Sequence, residues 1–472
     1  MKPESLIAAP KPPPLCGIRA ALHYVNFFRD PIACMRHFHQ AYGDIAALGP
    51  VSPFREIHRL HLLTAGPDYN RQVLGSPELF RTTGQTIRGP KNSSQRRLRF
   101  GLTRMQGSQH AQQRQLVMPL FHKKAVDGYR QIMVDNVDEV LKDWRPGATC
   151  DMYREMRRLS LHLSSTILFS PDPREASGIS GMIEEWLQRN FSASVWLFPV
   201  NFPGTPYRGL LNHATKLEND ILSMIGARRA SPAGRMDVLS LLTQARDEEG
   251  HGVTDEELVG QIAILFAASY ETTASALTWI LFLLAQHPRV MADLVSELEG
   301  GLPEAPARGG DALPLLDRVI KESMRILPPV PYTIRAANLE TEMGGYHVPQ
   351  GSRVICSHYL THHMSELYPE PEKFLPERWL TINPSPYEYV PFSAGPRMCI
   401  GVTFAMQVMK ISLAMILQRF RPEVIPGARI DRVVRVTMSP RHGMPMKLFR
   451  QDRQYRRSKI CGNVREMVDL GT

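Results

Sequence analysis

Over most of this chain the hydrophobic positions recur at helical spacing, most continuously from about Gln109 to Gln286. Such a stripe marks helices that each bury one side. "DPIACMRHFHQAYG" predicts one helix, with Gly43 as its C-terminal cap. The clearest start is Thr254-Asp255-Glu256-Glu257, where Glu257 follows Thr254 at capping-box spacing. The helix it opens runs to Gln286, ahead of His287-Pro288. Its length is on the order of 50 Å at a rise of 1.5 Å per residue. The stretch "ASALTWILFLLA" is apolar on several sides, so this helix crosses a large core. It is too short an apolar run to span a bilayer, and no other stretch is long enough.

A further helix, near Leu313 to Leu327, stops at Pro328-Pro329. "IRAANLETEMGGYHVPQGSRVICSHY" then reads as short strands divided by Gly-Gly and Pro-Gln-Gly turns. "YPEPEKFLPERWLTINPSPYEYVPF" has neither period, and so long an irregular segment points to function. "VTFAMQVMKISLAMILQRF" predicts a helix and "VTMSPRHGMPMKLF" a closing hairpin. Neither an internal repeat nor a linker interrupts the pattern. The expected fold is mainly α with a small β region, as one domain over residues 20–448. A proline-rich segment, 1–19, precedes it, and a basic tail, 449–472, follows.

Composition is that of an ordinary globular protein, 43% hydrophobic and 22% charged. The formal net charge of +10 would attract nucleic acid, anionic lipid or an acidic protein. The excess is concentrated in "KNSSQRRLRF" and "RQDRQYRRSK". With no helix-turn-helix, finger or base-stacking signature, nucleic acid is not an expected partner. Cys16, Cys34, Cys150, Cys356, Cys399 and Cys461 show no paired spacing. That excludes a zinc ribbon or a disulfide framework and fits a reducing, cytoplasmic compartment. The first twenty residues lack the apolar core of a secretory signal.

Cys399 stands out in "PFSAGPRMCIG". A lone cysteine is ordinarily a small buried hydrophobe. Here Gly395 and Gly401 flank it, as close backbone approach to a porphyrin would require. Arg397 could neutralise a haem carboxylate, and a thiolate is the form of cysteine that binds a metal. The stretch fits F-x-x-G-x-R-x-C-x-G from Phe392 to Gly401, and in this it resembles the haem-thiolate monooxygenases of the cytochrome P-450 superfamily.

The resemblance extends over about residues 20 to 448, with its motifs in the family's order. It implies the cytochrome P-450 fold, a large helical domain with a long helix over haem and minor β-sheets, and haem b (iron protoporphyrin IX) held by Cys399. "KESMR" and "FLPERW" match the family's E-x-x-R and its downstream arginine, which implies a structural cluster of Glu322, Arg325 and Arg378. "FAASYETTAS" matches the oxygen-activation motif, with Ser269 where the family has glycine. Thr272 would hydrogen-bond dioxygen and Glu271 would relay protons. His110 and Arg114 in "GSQHAQQRQ", with Arg335 and Arg397, match the residues that bind haem propionates.

"FPVNFPGTPYRGLL" resembles a segment of branches that oxidise retinoids, steroids and other terpenoids. The implied substrate is an apolar small molecule: a terpenoid, a steroid or a fatty-acid-like chain. By resemblance it would contact residues 81–105, the helix around Ala263 and Ala267, the turn Val330–Thr333 and the region near Met438. O2 is the second substrate. Electrons come from a separate ferredoxin or flavodoxin with its reductase. Trp196, Phe198 and Phe202 could touch a membrane surface, line a channel or belong to the core.

Three rivals stand beside this reading: a peroxide-using haem-thiolate enzyme, a haem sensor or carrier without turnover, and a structural protein with a core thiol. The Glu271-Thr272 pair argues against the first two.

Overall fold

The long helix forms where its capping box sets it, over Asp255–Gln286. Thr254 Oγ1 accepts from the Glu257 N–H at 3.3 Å, and the Glu257 carboxylate accepts from the Thr254 N–H at 3.1 Å. Asp255, Glu256 and Glu257 place negative charge at the positive end of the helix dipole. Every residue from Thr273 to Gln286 is buried, so this half is the axis of the molecule. It packs most extensively on the helix Met152–Leu168 and also meets Leu315–Ile326 and Val402–Arg419. The computed structural model describes residues 18–50, 59–84, 86–169, 173–231, 237–301 and 314–471. The proline-rich stretch before Ile18 lies outside them.

The other expected helices form with small shifts. Pro31–Tyr42 is capped by Asp30, whose carboxylate accepts from the Ala33 N–H at 3.1 Å, and it ends at Gly43. Leu315–Ile326 stops just short of the proline pair. Beside the helices lies a five-stranded sheet in the order Ile45–Pro50, Leu60–Thr64, Arg353–Ser357, Tyr332–Ala337, Phe80–Thr82. Its three N-terminal strands carry little period-two signal. The first is interrupted by a register shift between Ala47 and Gly49, and Phe80–Thr82 is only three residues long.

The closing hairpin does not form as expected. Met438–Pro440 pairs with Arg432–Val434, while Pro445–Arg450 pairs with both Phe420–Val424 and Thr149–Asp151. Between them Arg441 and Gly443 make only an isolated bridge. Beyond Arg450 the chain returns to the core. Val464 and Met467 have no exposed surface and Leu470 is buried. Arg36 Nη1 donates to Glu466 O at 2.6 Å, and Arg432 pairs with both Asp30 and Glu466. The segment after 449 is basic in composition, and its 460–470 part belongs to the same core as the helices.

One close approach fixes how the loop before Gly107 sits on the long helix. A Cβ on Gly260 would lie 2.3 Å from Phe100 O, and one on Gly101 2.5 Å from Gly260 O. Leu102 N–H donates to Gln261 Oε1 at 3.1 Å in the same place. Gly260→Ala is therefore expected to overpack the contact and cost about 1–3 kcal/mol. A lowered urea midpoint would register it. An unchanged midpoint would mean that the loop moves away without penalty.

Candidate active site

The loop that carries Cys399 is held in a strained but well-bonded shape. Ser393 and Gly395 both have positive φ, +60° and +68°. Cys399 N–H donates to Phe392 O at 2.9 Å, Met398 N–H to Gly395 O at 3.0 Å and Ser393 N–H to Val390 O at 3.0 Å. A Cβ on Gly395 would meet Leu74 O at 2.3 Å. Gly395 is thus required by its φ and by the backbone of the helix Pro67–Gly75, a different close approach from the one expected on sequence. Gly401 begins the helix Val402–Arg419. Its N–H bonds to Cys399, and an added Cβ would meet only Cys399 Sγ, at 4.0 Å.

Cys399 has an exposed edge, yet burial pushes its thiol pKa up, while the Gly401 N–H and the charge of Arg114 pull it down. Around it gather the cations singled out from the sequence. Arg114 acts on Cys399, His110 feels Arg397 and Arg114, and Arg397 feels Arg335 and Arg114. Burial and these neighbours lower His110 to about 4. Arg335, on the strand Tyr332–Ala337, is buried. Arg397 donates to Leu102 O, Met105 O and Gln106 Oε1, at 3.2, 2.6 and 3.0 Å. That ties the cysteine loop to the segment lying on the long helix. Gln106 was not foreseen, since a single amide leaves no pattern.

Among the described residues, Arg114, Arg335 and Arg397 have no carboxylate partner. Buried guanidinium groups without one are costly. A soft sulfur donor beside three arginines and a neutral imidazole is the donor set that an iron porphyrin with two carboxylates calls for. The residues fit the group.

On the long helix, Ile264, Ala267, Ala268, Glu271 and Thr272 are at least partly accessible in a stripe at spacings of three and four, with Ser269 partly accessible at its edge. Thr272 Oγ1 donates to Ala268 O at 2.7 Å. Ser269 Oγ can donate to Phe266 O at 3.0 Å while accepting from the Ser164 hydroxyl at 2.9 Å. It therefore bonds backward within the helix and across to Met152–Leu168. Glu271 faces Arg157 and Arg435. Burial raises its pKa, and those two charges oppose the rise. Arg157 is itself paired with Glu184.

The third group is the Glu322 cluster. Arg325 Nε and Nη2 each donate to the Glu322 carboxylate at 2.9 Å, and Arg378 Nε does so at 3.0 Å. Trp379 Nε1 and Leu375 N–H add two more donors, at 3.0 and 3.1 Å. Glu322 and Arg325 have no exposed surface. Arg325 also donates to His362 O at 2.8 Å, and His362 Nε2 accepts from the Val390 N–H at 2.9 Å. His362 is thus the bonded link from the cluster to the loop of Phe392 and Cys399. Burial keeps it neutral, which leaves Nε2 able to accept. "THH" gave no sign of this role, because the link needs the fold.

Trp196, Phe198 and Phe202 are exposed, so the core reading fails for them. Met438 N–H donates to Pro329 O at 2.8 Å, which joins the strand near Met438 to the turn before Val330. Among the described residues no helix is long and apolar enough to cross a membrane.

The family model described as Cytochrome P450 matches residues 10–444. Cyclooctat-9-en-7-ol 5-monooxygenase of Streptomyces melanosporofaciens is 30% identical over 448 residues, covering 91% of this chain and 92% of that protein. Pentalenene oxygenase of Streptomyces avermitilis is 28% identical over 429 residues, covering 88% and 92%. Among solved structures, the retinoic acid bound cyanobacterial CYP120A1 superposes with a TM-score of 0.77 at 27% identity, over 94% of this chain and 100% of that one.

Proposed function

The chain belongs to the cytochrome P450 family of haem b-binding monooxygenases, and on that premise we propose that it oxidises a terpenoid, or a steroid or fatty acid of similar shape. One atom of O2 enters a C–H or C=C bond. The other leaves as water, with two electrons and two protons consumed. Bound haem supplies the iron centre that takes up electrons and activates O2. The observation that carries the reading is Cys399 amid Arg114, His110, Arg335 and Arg397 without an acidic partner.

In this reading Cys399 Sγ is the iron ligand. The Gly401 N–H and Arg114 stabilise its negative charge. Arg114, Arg335, Arg397 and the His110 N–H hold the two carboxylates. Thr272 Oγ1, now bonded to Ala268 O, can turn its proton to the accessible side of the helix. Burial raises the pKa of Glu271, which suits its carboxyl to pass on a proton. Electrons arrive from a separate ferredoxin or flavodoxin with its reductase, and an acidic partner of that kind suits the net charge of +10. The names of the Streptomyces relatives favour a terpenoid over the other classes.

The test is turnover of candidate terpenoids with a surrogate ferredoxin, its reductase and labelled O2. One labelled oxygen atom per product is expected. Turnover driven by hydrogen peroxide alone, at an equal rate, would favour the peroxide-using rival. Thr272→Ala and Glu271→Gln are each expected to lower product formation by about 10²-fold or more. Reductant consumption should fall less, since electrons still enter. Equal coupling of reductant to product in wild type and Thr272→Ala would remove the proposed role of that hydroxyl.

A further inference from the structure

A second group of arginines lies away from the cysteine loop. Arg99 is only 5% exposed. It shares its surroundings with Arg88, Arg96 and Arg104, and Arg104 in turn with Arg81 and Arg88. Arg99 Nε donates to Thr86 Oγ1 at 2.6 Å. The Arg104 guanidinium lies over Gly84, where an added Cβ would be 1.3 Å from Nη1 and would displace it. Tyr207, itself buried, sits beside Arg99 at the start of the helix Pro206–Ala230.

Among the described residues none of these five arginines has an acidic partner. Arg97, in the same stretch, does have one in Glu218. Burial and the neighbouring positive charges lower the pKa of Arg99 to about 10. A buried cation among like charges is retained when an anion joins it. A hydroxyl and a phenol converge on the same place and complete the donor set.

The position suggests which anion. The segment Arg97–Leu102 rests on the long helix at Gly260 and Gln261, next to Ile264, the first residue of the accessible stripe. From Gly260 to Thr272 the helix advances roughly 18 Å at 1.5 Å per residue. A long-chain molecule whose head group is held at Arg99 can therefore lay an apolar tail along the stripe toward Thr272.

We propose that Arg99 and Arg104, with Thr86 and Tyr207, bind the carboxylate of a lipophilic acid and so orient its apolar chain along the long helix. Exposed Arg81 and Arg88 draw the anion in. This rests on the monooxygenase reading and narrows its substrate to isoprenoid or fatty acids rather than neutral hydrocarbons.

The test titrates the haem-loaded full chain with matched pairs, farnesoic acid against methyl farnesoate and palmitic acid against methyl palmitate, following the Soret band. Each acid is expected to bind at least tenfold more tightly than its ester, and the gap should narrow as salt is raised. Arg99→Gln should bring the ratio close to one by weakening the acid and sparing the ester. Arg104→Gln should reduce it in part, and it carries the test if Arg99→Gln fails to load haem. Equal affinities within the pairs, a preference for the esters, or no shift with any acid overturns the proposal. Absence of the long-wavelength carbon monoxide band in the wild type would instead overturn the monooxygenase reading, and that band is recorded on the same samples.

Discussion

Cys399→Ser is expected to abolish the strongly red-shifted Soret band that the dithionite-reduced wild-type protein gives with carbon monoxide. Serine keeps nearly the same volume, and the loop bonds from Cys399 N–H to Phe392 O and from Met398 N–H to Gly395 O involve only backbone. The loop should therefore keep its shape. What changes is the donor: an alcohol is harder and far less acidic than a thiol, and it does not push electron density to the iron as a thiolate does. Product formation should fall below detection while the unfolding free energy of the haem-free protein in urea stays within about 1 kcal/mol of wild type. A variant that kept the band would show that another residue ligates the iron. A wild-type band at the shorter wavelength of histidine-ligated haem would carry the same message.

Glu322→Gln should be the most damaging single change outside that loop. The carboxylate accepts five donors, two of them on Arg325, and neither residue has exposed surface. Glutamine removes the negative charge and turns one accepting oxygen into a donor, which then faces N–H groups. Arg325 and Arg378 are left as buried, uncompensated cations. Breaking such a pair costs about 3–5 kcal/mol, a large part of the stability of an ordinary domain. The path through Arg325, His362 and Val390 predicts a second effect beyond the lowered urea midpoint. The haem content of the protein that does fold should drop, because the loop of Cys399 loses its anchor. A variant with wild-type haem content and midpoint would show the cluster to be dispensable.

Much of this was legible in the sequence where local rules and side-chain chemistry agree. The capping box at Thr254 and the proline pair after the helix at Glu322 each state a local requirement, and each is met. The strands Ile45–Pro50 and Phe80–Thr82 state none. Ile45–Pro50 is a strand because Leu60–Thr64 folds back beside it, and Phe80–Thr82 because Tyr332–Ala337, hundreds of positions further on, lies beside it; neither pairing leaves a mark on so short a segment. The same holds for side chains. Glu322, Arg325 and Arg378 could be named from spacing and resemblance, whereas His362, Gln106 and Trp379 join their networks only through the fold. Gly395 was singled out correctly for the wrong neighbour. Arg99 read as one more charge in a basic run, and its burial separates it from Arg96 and Arg97 just before it.

The bond between Arg36 and Glu466 joins residues 430 positions apart. At the usual 5–20 residues per second of protein synthesis, roughly 20–90 s pass between the appearance of one on the ribosome and the other. Arg432, which holds Asp30 and Glu466 together, also arrives late. The helix Pro31–Tyr42 packs early against its neighbours Ile18–Arg29 and Ile45–Pro50, but waits for His358–His362 and for these late ion pairs. Slower growth at low temperature lengthens that wait, but it also weakens the hydrophobic attraction that draws nascent chains into aggregates. The yield of soluble protein should depend more on chaperone supply during translation than on the stability of the finished molecule.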